Sequence, residues 1–499
     1  MTDVSYRRLL DIYSEISHLH SITSILHWDQ ETYMPPNAVS LRAGQNSLLS
    51  GLIHQKITSR EVGSLLDELE NREHLDENQY AIIREIGRIH RRAVSIPEDL
   101  VREISRTKSI AQPAWARARE KNDFKSFQPH LVKIIDLMKK VAEHIGYDDQ
   151  PYDALFDEYE PYAKTSEAAE VMKNLRDKLI PIIRKISESG VDIDSSALEG
   201  SYPIPDQRAF MLDMVKNLGY DLSRGRLDVT THPFTVGSMS DVRITTRFSE
   251  TDLRPALFSC IHEAGHALYE QGFLEEFYHT PLADSVSLGI HESQSRLWEN
   301  IIGRSVPFWD YYYPILRARF DGLGGTDLST FYRAINKVKP TYIRVEADEV
   351  TYNMHVLLRF ELELELLNDE IDVSELPAAW TEKFEKYLGI TPPDDTRGCL
   401  QDIHWSMGAV GYFPTYTLGN LYSAQFHNAM LRDMPDMWED VRYGKFSDIL
   451  NWLRIKIHNK GKLLPATDLI KDVTGESPNE DHFVSYIREK YGKIYDINL

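Results

Sequence analysis

Residues 256–273 read ALFSCIHEAGHALYEQGF. The run is rich in strong helix formers and carries apolar residues on both sides of its two histidines, so it reads as one continuous helix. Residues four apart on a helix project from the same face, and His262 and His266 can therefore reach one cation together. Gly265 inside such a helix costs on the order of 1 kcal/mol relative to alanine. The missing side chain is expected to leave room beside the cation. Cys260 reads as a small buried apolar residue.

Most of the rest of the chain also reads as helix. Near the N-terminus, Leu9, Ile12, Tyr13, Ile16, Leu19, Ile22 and Leu26 fall on one face at three- and four-residue steps, and Pro35-Pro36 ends the segment. Charged amphipathic stretches continue from about Leu41 to about His144, and Gly146 to Pro161 reads as a loop. Residues 227–248, LDVTTHPFTVGSMSDVRITTRF, break the pattern: they are rich in Val, Thr, Ile and Phe around a Gly-Ser turn signal. A small hairpin or sheet is expected there, beside the histidine helix. Phe360, Leu362, Leu364 and Leu366 alternate with Glu361, Glu363 and Glu365 in a strand-like period. Glu and Leu are strong helix formers and no turn flanks the run, so it is assigned to helix.

The 499 residues carry a formal net charge of -21, which argues against nucleic acid and anionic membrane as partners. No apolar run reaches the ~18 residues of a membrane span, and the amphipathic MTDVSYRRLLDIYSEI does not look like a signal peptide. The two cysteines, Cys260 and Cys399, form no disulfide framework, which fits a reducing compartment and a cytoplasmic location. The sequence contains neither a fixed-period repeat nor a low-complexity linker. The length allows two or three domains or one large helical body.

Neutral imidazoles at positions 262 and 266 suit zinc. Glu263 is offset by about 100° from His262 on the helix, so it lies beside the ion rather than on it. A carboxylate there can take a proton from a water polarised by the ion and pass it to a leaving amine. A third protein ligand is needed. An extended motif with histidine at 272 and glycine at 269 fails, because Gly272 and Tyr269 stand there. The stretch SLGIHESQSRLWEN, 287–300, offers Glu292 and Glu299. Glu292, 26 residues after His266, leaves enough chain for a second helix to cross the first, and it is the preferred ligand. Glu299 is the alternative, or an acceptor for an imidazole N–H.

With HEAGH and HESQS both present, the sequence resembles the carboxypeptidase Taq-type metallocarboxypeptidases. The resemblance runs along most of the chain: LHWDQETYMP (26–35), YDALFDEYEP (152–161), His232-Pro233-Phe234, DVRIT (241–245), IRVEAD (343–348), GCLQDIHW (398–405) and GYFPTY (411–416) look like family blocks. It implies a mainly α fold: a large helical body with a deep substrate groove, similar to neurolysin-like peptidases, and a small sheet near the metal. It implies a single catalytic domain over 1–499, with two helical lobes flanking the groove as a variant of that reading. It also implies a broad-specificity carboxypeptidase that removes single residues from peptide C-termini, uses one zinc ion per chain with cobalt as a substitute, and forms homodimers. His262, His266 and Glu292 match the family's ligand positions, and Glu263 matches its general base.

A carboxypeptidase must recognise a free α-carboxylate, for which the arginine fork is best suited. Arg344 is the first candidate and Arg243 the second, the competing reading of Arg344 being an internal salt bridge to Glu346 or Asp348. Tyr412 and His404 are candidate donors to the oxyanion. Residues 241–245 are expected to form an edge strand that pairs with the substrate backbone, with Asp241, Arg243 and Thr245 on one face and Val242 and Ile244 on the other. His232 would fix this strand or reach the substrate. Two rivals remain: an endopeptidase on the same scaffold, and a helical binding protein with a vestigial site, which would have no use for Glu263.

Overall fold

The computed structural model describes residues 4–499. Among them are twenty α-helices and one three-stranded sheet. No helix among the described residues is long and apolar enough to cross a membrane.

The first helix, Val4–Thr32, buries Tyr6, Leu9, Ile12 and Ile16 against the Arg60–Glu70 helix. These residues belong to a small core of their own that also takes in Val62, Leu66, Leu69, Phe277 and Leu282. That core ends at Ile16 along this helix. The apolar stripe expected to run on to Leu26 is therefore only partly used, and Ile22 stays 46% exposed. The rest of the chain, from Leu100 to Tyr495, packs around one large core that contains the histidine helix.

One reading of local structure changes and another holds. The expected loop at 146–161 holds a short helix, Pro151–Phe156. Proline at its first position has φ pre-set for a helix, and Tyr152 and Phe156, one turn apart, are both fully buried. The alternating Leu/Glu run is helical, within Tyr352–Leu367, as assigned. Its glutamates do not form a solvated face. Glu363 is fully buried and accepts from Tyr152 Oη (2.7 Å), Trp405 Nε1 (2.8 Å) and the Gly411 amide (3.1 Å). Glu361 pairs with Arg176 at 2.6 Å and Lys383 at 3.0 Å. A helix packed on every side needs no single polar stripe.

The sheet consists of β1 (Gly225–Val229), β2 (Thr235–Ser238) and β3 (Asp241–Thr246), in the order β1-β3-β2. β3 runs parallel to β1 and antiparallel to β2. The expected edge strand at 241–245 is thus the central strand, with its backbone groups taken on both sides. The cause is the tight β2–β3 turn. Gly237 has φ of 94°, and a Cβ there would lie 1.9 Å from the Asp241 carbonyl oxygen. The hairpin folds back at once, and β1 then pairs with the free side of β3. Val242 and Ile244 are fully buried while Asp241 and Arg243 are partly exposed, as the alternation requires. Thr245 departs from it: it is buried and exchanges hydrogen bonds with Phe234.

Candidate active site

The histidine helix, Arg254–Glu270, crosses the helix Leu288–Arg296. The crossing is close because Gly265 faces the second helix: a Cβ there would sit 2.7 Å from Ser295 Cα and 2.8 Å from the Gln294 carbonyl oxygen. The room expected beside the cation is filled by this backbone instead. Gly419 plays a similar part, since a Cβ on it would lie 2.5 Å from Glu292 Cγ. The Glu292 stem runs through that gap.

The crossing brings His262, His266 and Glu292 together, one ligand atom from each lying within 4.8 Å of the others. Glu292 Oε2 is 3.6 Å from His262 Nε2 and 3.5 Å from His266 Nε2. The other ring nitrogens are committed elsewhere: His262 Nδ1 to Glu299 Oε2 at 2.8 Å, and His266 Nδ1 to the His291 carbonyl at 3.0 Å. Both Nε2 lone pairs are thereby turned towards the carboxylate. Ligands about 2.1 Å from a tetrahedral ion stand about 3.4 Å apart, so these separations and this N,N,O donor set fit a divalent metal.

Charge balance supports the arrangement. Burial alone would raise the Glu292 carboxyl, but Arg296, His262 and His266 hold it well below the usual range. Arg296 Nε donates to Glu292 Oε1 at 2.6 Å and leaves Oε2 to face the imidazoles. Burial, aided by His291, pulls the His266 imidazole down to about 3, so it stays neutral. Burial also pulls His262 down, but Glu292 and the hydrogen-bonded Glu299 outweigh this and raise it. Glu263 is buried and accepts from Thr235 Oγ1 at 2.6 Å. Burial raises its carboxyl above the ordinary value although His262 and Thr235 oppose the shift. A carboxylate of raised basicity beside three convergent ligand atoms can shuttle a proton.

The sequence profile of the carboxypeptidase Taq (M32) metallopeptidases matches residues 8–491. The chain belongs to the carboxypeptidase Taq (M32) family. This M32 chain is 40% identical to thermostable carboxypeptidase 1 of Thermus thermophilus over 99% of both sequences. It is 39% identical to carboxypeptidase 1 of Bacillus subtilis over 98% of both. Its fold matches the crystal structure of the M32 carboxypeptidase from Deinococcus radiodurans with a TM-score of 0.97 at 38% identity, covering 99% of this chain and 100% of that one. The M32 chain is a metal-dependent carboxypeptidase.

The remaining candidates fall into two groups. Tyr412 is near enough to Glu292 to feel its charge, and its ring lies 5.2 Å from those of His404 and Tyr159. Burial raises the Tyr412 phenol, so it stays a donor, and lowers the His404 imidazole to about 4, so it is neutral at pH 7. Arg344 is buried and does form an internal salt bridge, but with Asp402, at 2.9 Å, and not with Glu346 or Asp348. Asp348 instead caps its own turn through Val350 and Thr351. Arg344 also donates to Tyr352 Oη at 3.0 Å, and the guanidinium of Arg296 lies over the Tyr352 ring. Arg344 and Glu292 are thus linked through Tyr352 and Arg296.

Asp241 and Arg243 form a second cluster. Arg243 makes a two-point pair with Asp241, both contacts 2.8 Å, and stacks on Trp28 at 4.3 Å. Its fork is engaged within the protein. His232 is exposed in the loop between β1 and β2. Among the residues that sequence reasoning missed, Thr235 follows directly on His232-Pro233-Phe234, and Asp402 lies inside GCLQDIHW. Arg296 stands four residues after Glu292, the spacing of a helical ion pair, which is the signal that could have found it.

Proposed function

We propose that His262, His266 and Glu292 hold one zinc ion per chain, with cobalt as a working substitute, and that Glu263 is the general base of a broad-specificity exopeptidase reaction. The observation that carries the reading is the convergence of two Nε2 atoms and Glu292 Oε2 with the Glu263 carboxylate at their side. When bound, the divalent ion supplies Lewis-acid polarisation of the scissile carbonyl and acidifies a water molecule. Glu263 accepts the proton of the attacking water at its carboxylate and returns it to the leaving amino group. The Tyr412 hydroxyl and a neutral His404 N–H donate to the oxyanion. Arg344 receives the substrate carboxylate: three of its five N–H donors serve Asp402 and Tyr352, and two are left. The products are one amino acid and a shortened peptide.

β2 takes over the role foreseen for 241–245. It has one neighbour in the sheet, so no strand among the described residues pairs with its other edge, and its first residue, Thr235, touches Glu263. An extended substrate adding to that edge would run past the base. Asp241, Arg243 and Thr245 then act on substrate through the hairpin they brace, while His232, exposed in the loop ahead of β2, fixes that hairpin or reaches the substrate. The reading extends to one catalytic domain over 1–499, to a cytoplasmic setting and to a homodimer. The exposed face of the helix Val39–Ile57, with Leu41 66% and Leu48 64% exposed, supports the dimer.

Mass spectrometry of digests of a free-acid peptide and its C-terminal amide, each with and without chelator, tests the reaction. Stepwise loss of C-terminal residues from the acid alone, abolished by the chelator, is expected. Internal cleavage of both peptides would make the protein an endopeptidase. Sedimentation at micromolar concentration tests the dimer.

A further inference from the structure

Asp402 is shared between two arginines. Its Oδ1 accepts from Arg344 Nη2 at 2.9 Å and Nε at 3.2 Å, and its Oδ2 accepts from Arg359 Nε at 2.7 Å. Arg359 is fully buried on the Tyr352–Leu367 helix, donates to the His355 carbonyl and lies 4.5 Å over the Trp380 ring. It has no path to a substrate. The other titratable groups around the pair do not supply the missing negative charge. The His404 imidazole, 3.9 Å from Asp402, is held neutral by burial, and so is that of His355. Glu363, one turn along from Arg359, is pushed up to about 7 by burial and is tied to Tyr152, Trp405 and Gly411.

Two guanidinium ions and one carboxylate leave a surplus of positive charge in a buried setting, which is costly unless an anion completes it. We infer that Arg359 is a specificity-determining positioning residue: by occupying one oxygen of Asp402, it keeps Arg344 from being neutralised and reserves its charge for the terminal carboxylate of the substrate. This rests on the reading of Arg344 as the carboxylate anchor. The alternative is a plain tether, in which Arg359 only fixes the Asp402 loop to the helix. A tether would affect substrates whatever the charge at their C-terminus.

The test uses the metal-loaded enzyme at pH 6, below the point at which Glu363 ionises. It compares KM and kcat on a free-acid peptide, and the inhibition constants of an N-acyl amino acid and its amide, in wild type, Arg359→Met, Arg344→Met and the double variant. Arg359→Met is expected to raise KM about tenfold or more with kcat held within about threefold, and to shrink the acid-over-amide preference by a similar factor. In the Arg344→Met background it should add nothing. If Arg344→Met leaves KM and the preference unchanged, the anchor reading itself falls. If Arg344→Met abolishes the preference but Arg359→Met leaves it intact, or weakens acid and amide equally, the Arg359 inference is overturned. Should Arg359→Met not fold, Asp402→Asn decides: removing the shared anion should increase the acid-over-amide preference, and a decrease overturns the inference.

Discussion

Glu299 Oε2 lies 2.8 Å from Nδ1 of His262, while Nε2 of the same ring faces Glu292. The contact fixes ring orientation and tautomer together, and Arg296 and Arg304, each 3.3 Å from Glu299, hold the carboxylate in place. Burial would raise the Glu299 carboxyl, but His262 and Arg296 bring it down to about 2, so it is ionised at any working pH. Replacing it by glutamine keeps the shape and removes the charge. Glu299→Gln is expected to weaken metal binding by about 10–100-fold, read by competition with a chromogenic chelator. Unchanged affinity would reduce the contact to packing.

Glu263→Gln separates proton transfer from metal binding. Glu263 is not among the three convergent ligands, so the variant should retain a stoichiometric ion by elemental analysis. Its turnover should fall by roughly 10²–10⁴, the usual worth of a general base. Normal turnover with normal metal content would remove Glu263 from the mechanism.

How far the site could be read from the sequence follows from the range of each interaction. The pair at 262 and 266 is local, so helical periodicity alone exposes it. Glu292 was reachable because one short crossing element follows. Thr235, Asp402 and Gly419 were not, because each meets its partner across 28, 58 or 127 positions: Glu263, Arg344 and Glu292 respectively. The central position of 241–245 in the sheet is illegible for the same reason. Alternation assigns the faces of 241–245 but carries no information on which strands lie alongside, and that is decided by β1, 17 positions away in register.

Gly265→Ala opposes two effects. Alanine favours the helix by about 1 kcal/mol, but the new Cβ would meet the Ser295 and Gln294 backbone, which cannot rotate away. Overpacking of this kind costs about 1–3 kcal/mol, so steric conflict wins. The variant should unfold at lower denaturant and bind metal more weakly, because the helix bearing Glu292 is pushed off. A variant as stable as its parent would show that the crossing tolerates a methyl group.

Glu160 gives the fold a pH dependence that is separate from the metal. It is fully buried beneath the Leu288–Arg296 helix, accepting from Ser287 Oγ at 2.8 Å, the Gly289 amide at 3.0 Å and Tyr422 Oη at 3.3 Å. Burial pushes its carboxyl from 4.5 up to about 7. Between these values the folded chain holds a proton that the unfolded chain has released, so stability falls as pH rises. The contribution is full below 4.5, is lost as pH passes 7 and is flat beyond. A shift of this size corresponds to about 3 kcal/mol. Urea unfolding of the metal-free protein at pH 5 and pH 8 should therefore show a smaller loss of stability in Glu160→Gln than in the parent, by about that amount. Glu363, also raised to about 7, contributes equally to both proteins and cancels. Equal losses in the two would mean that Glu160 is already ionised in the folded state at pH 5, its three donors outweighing burial.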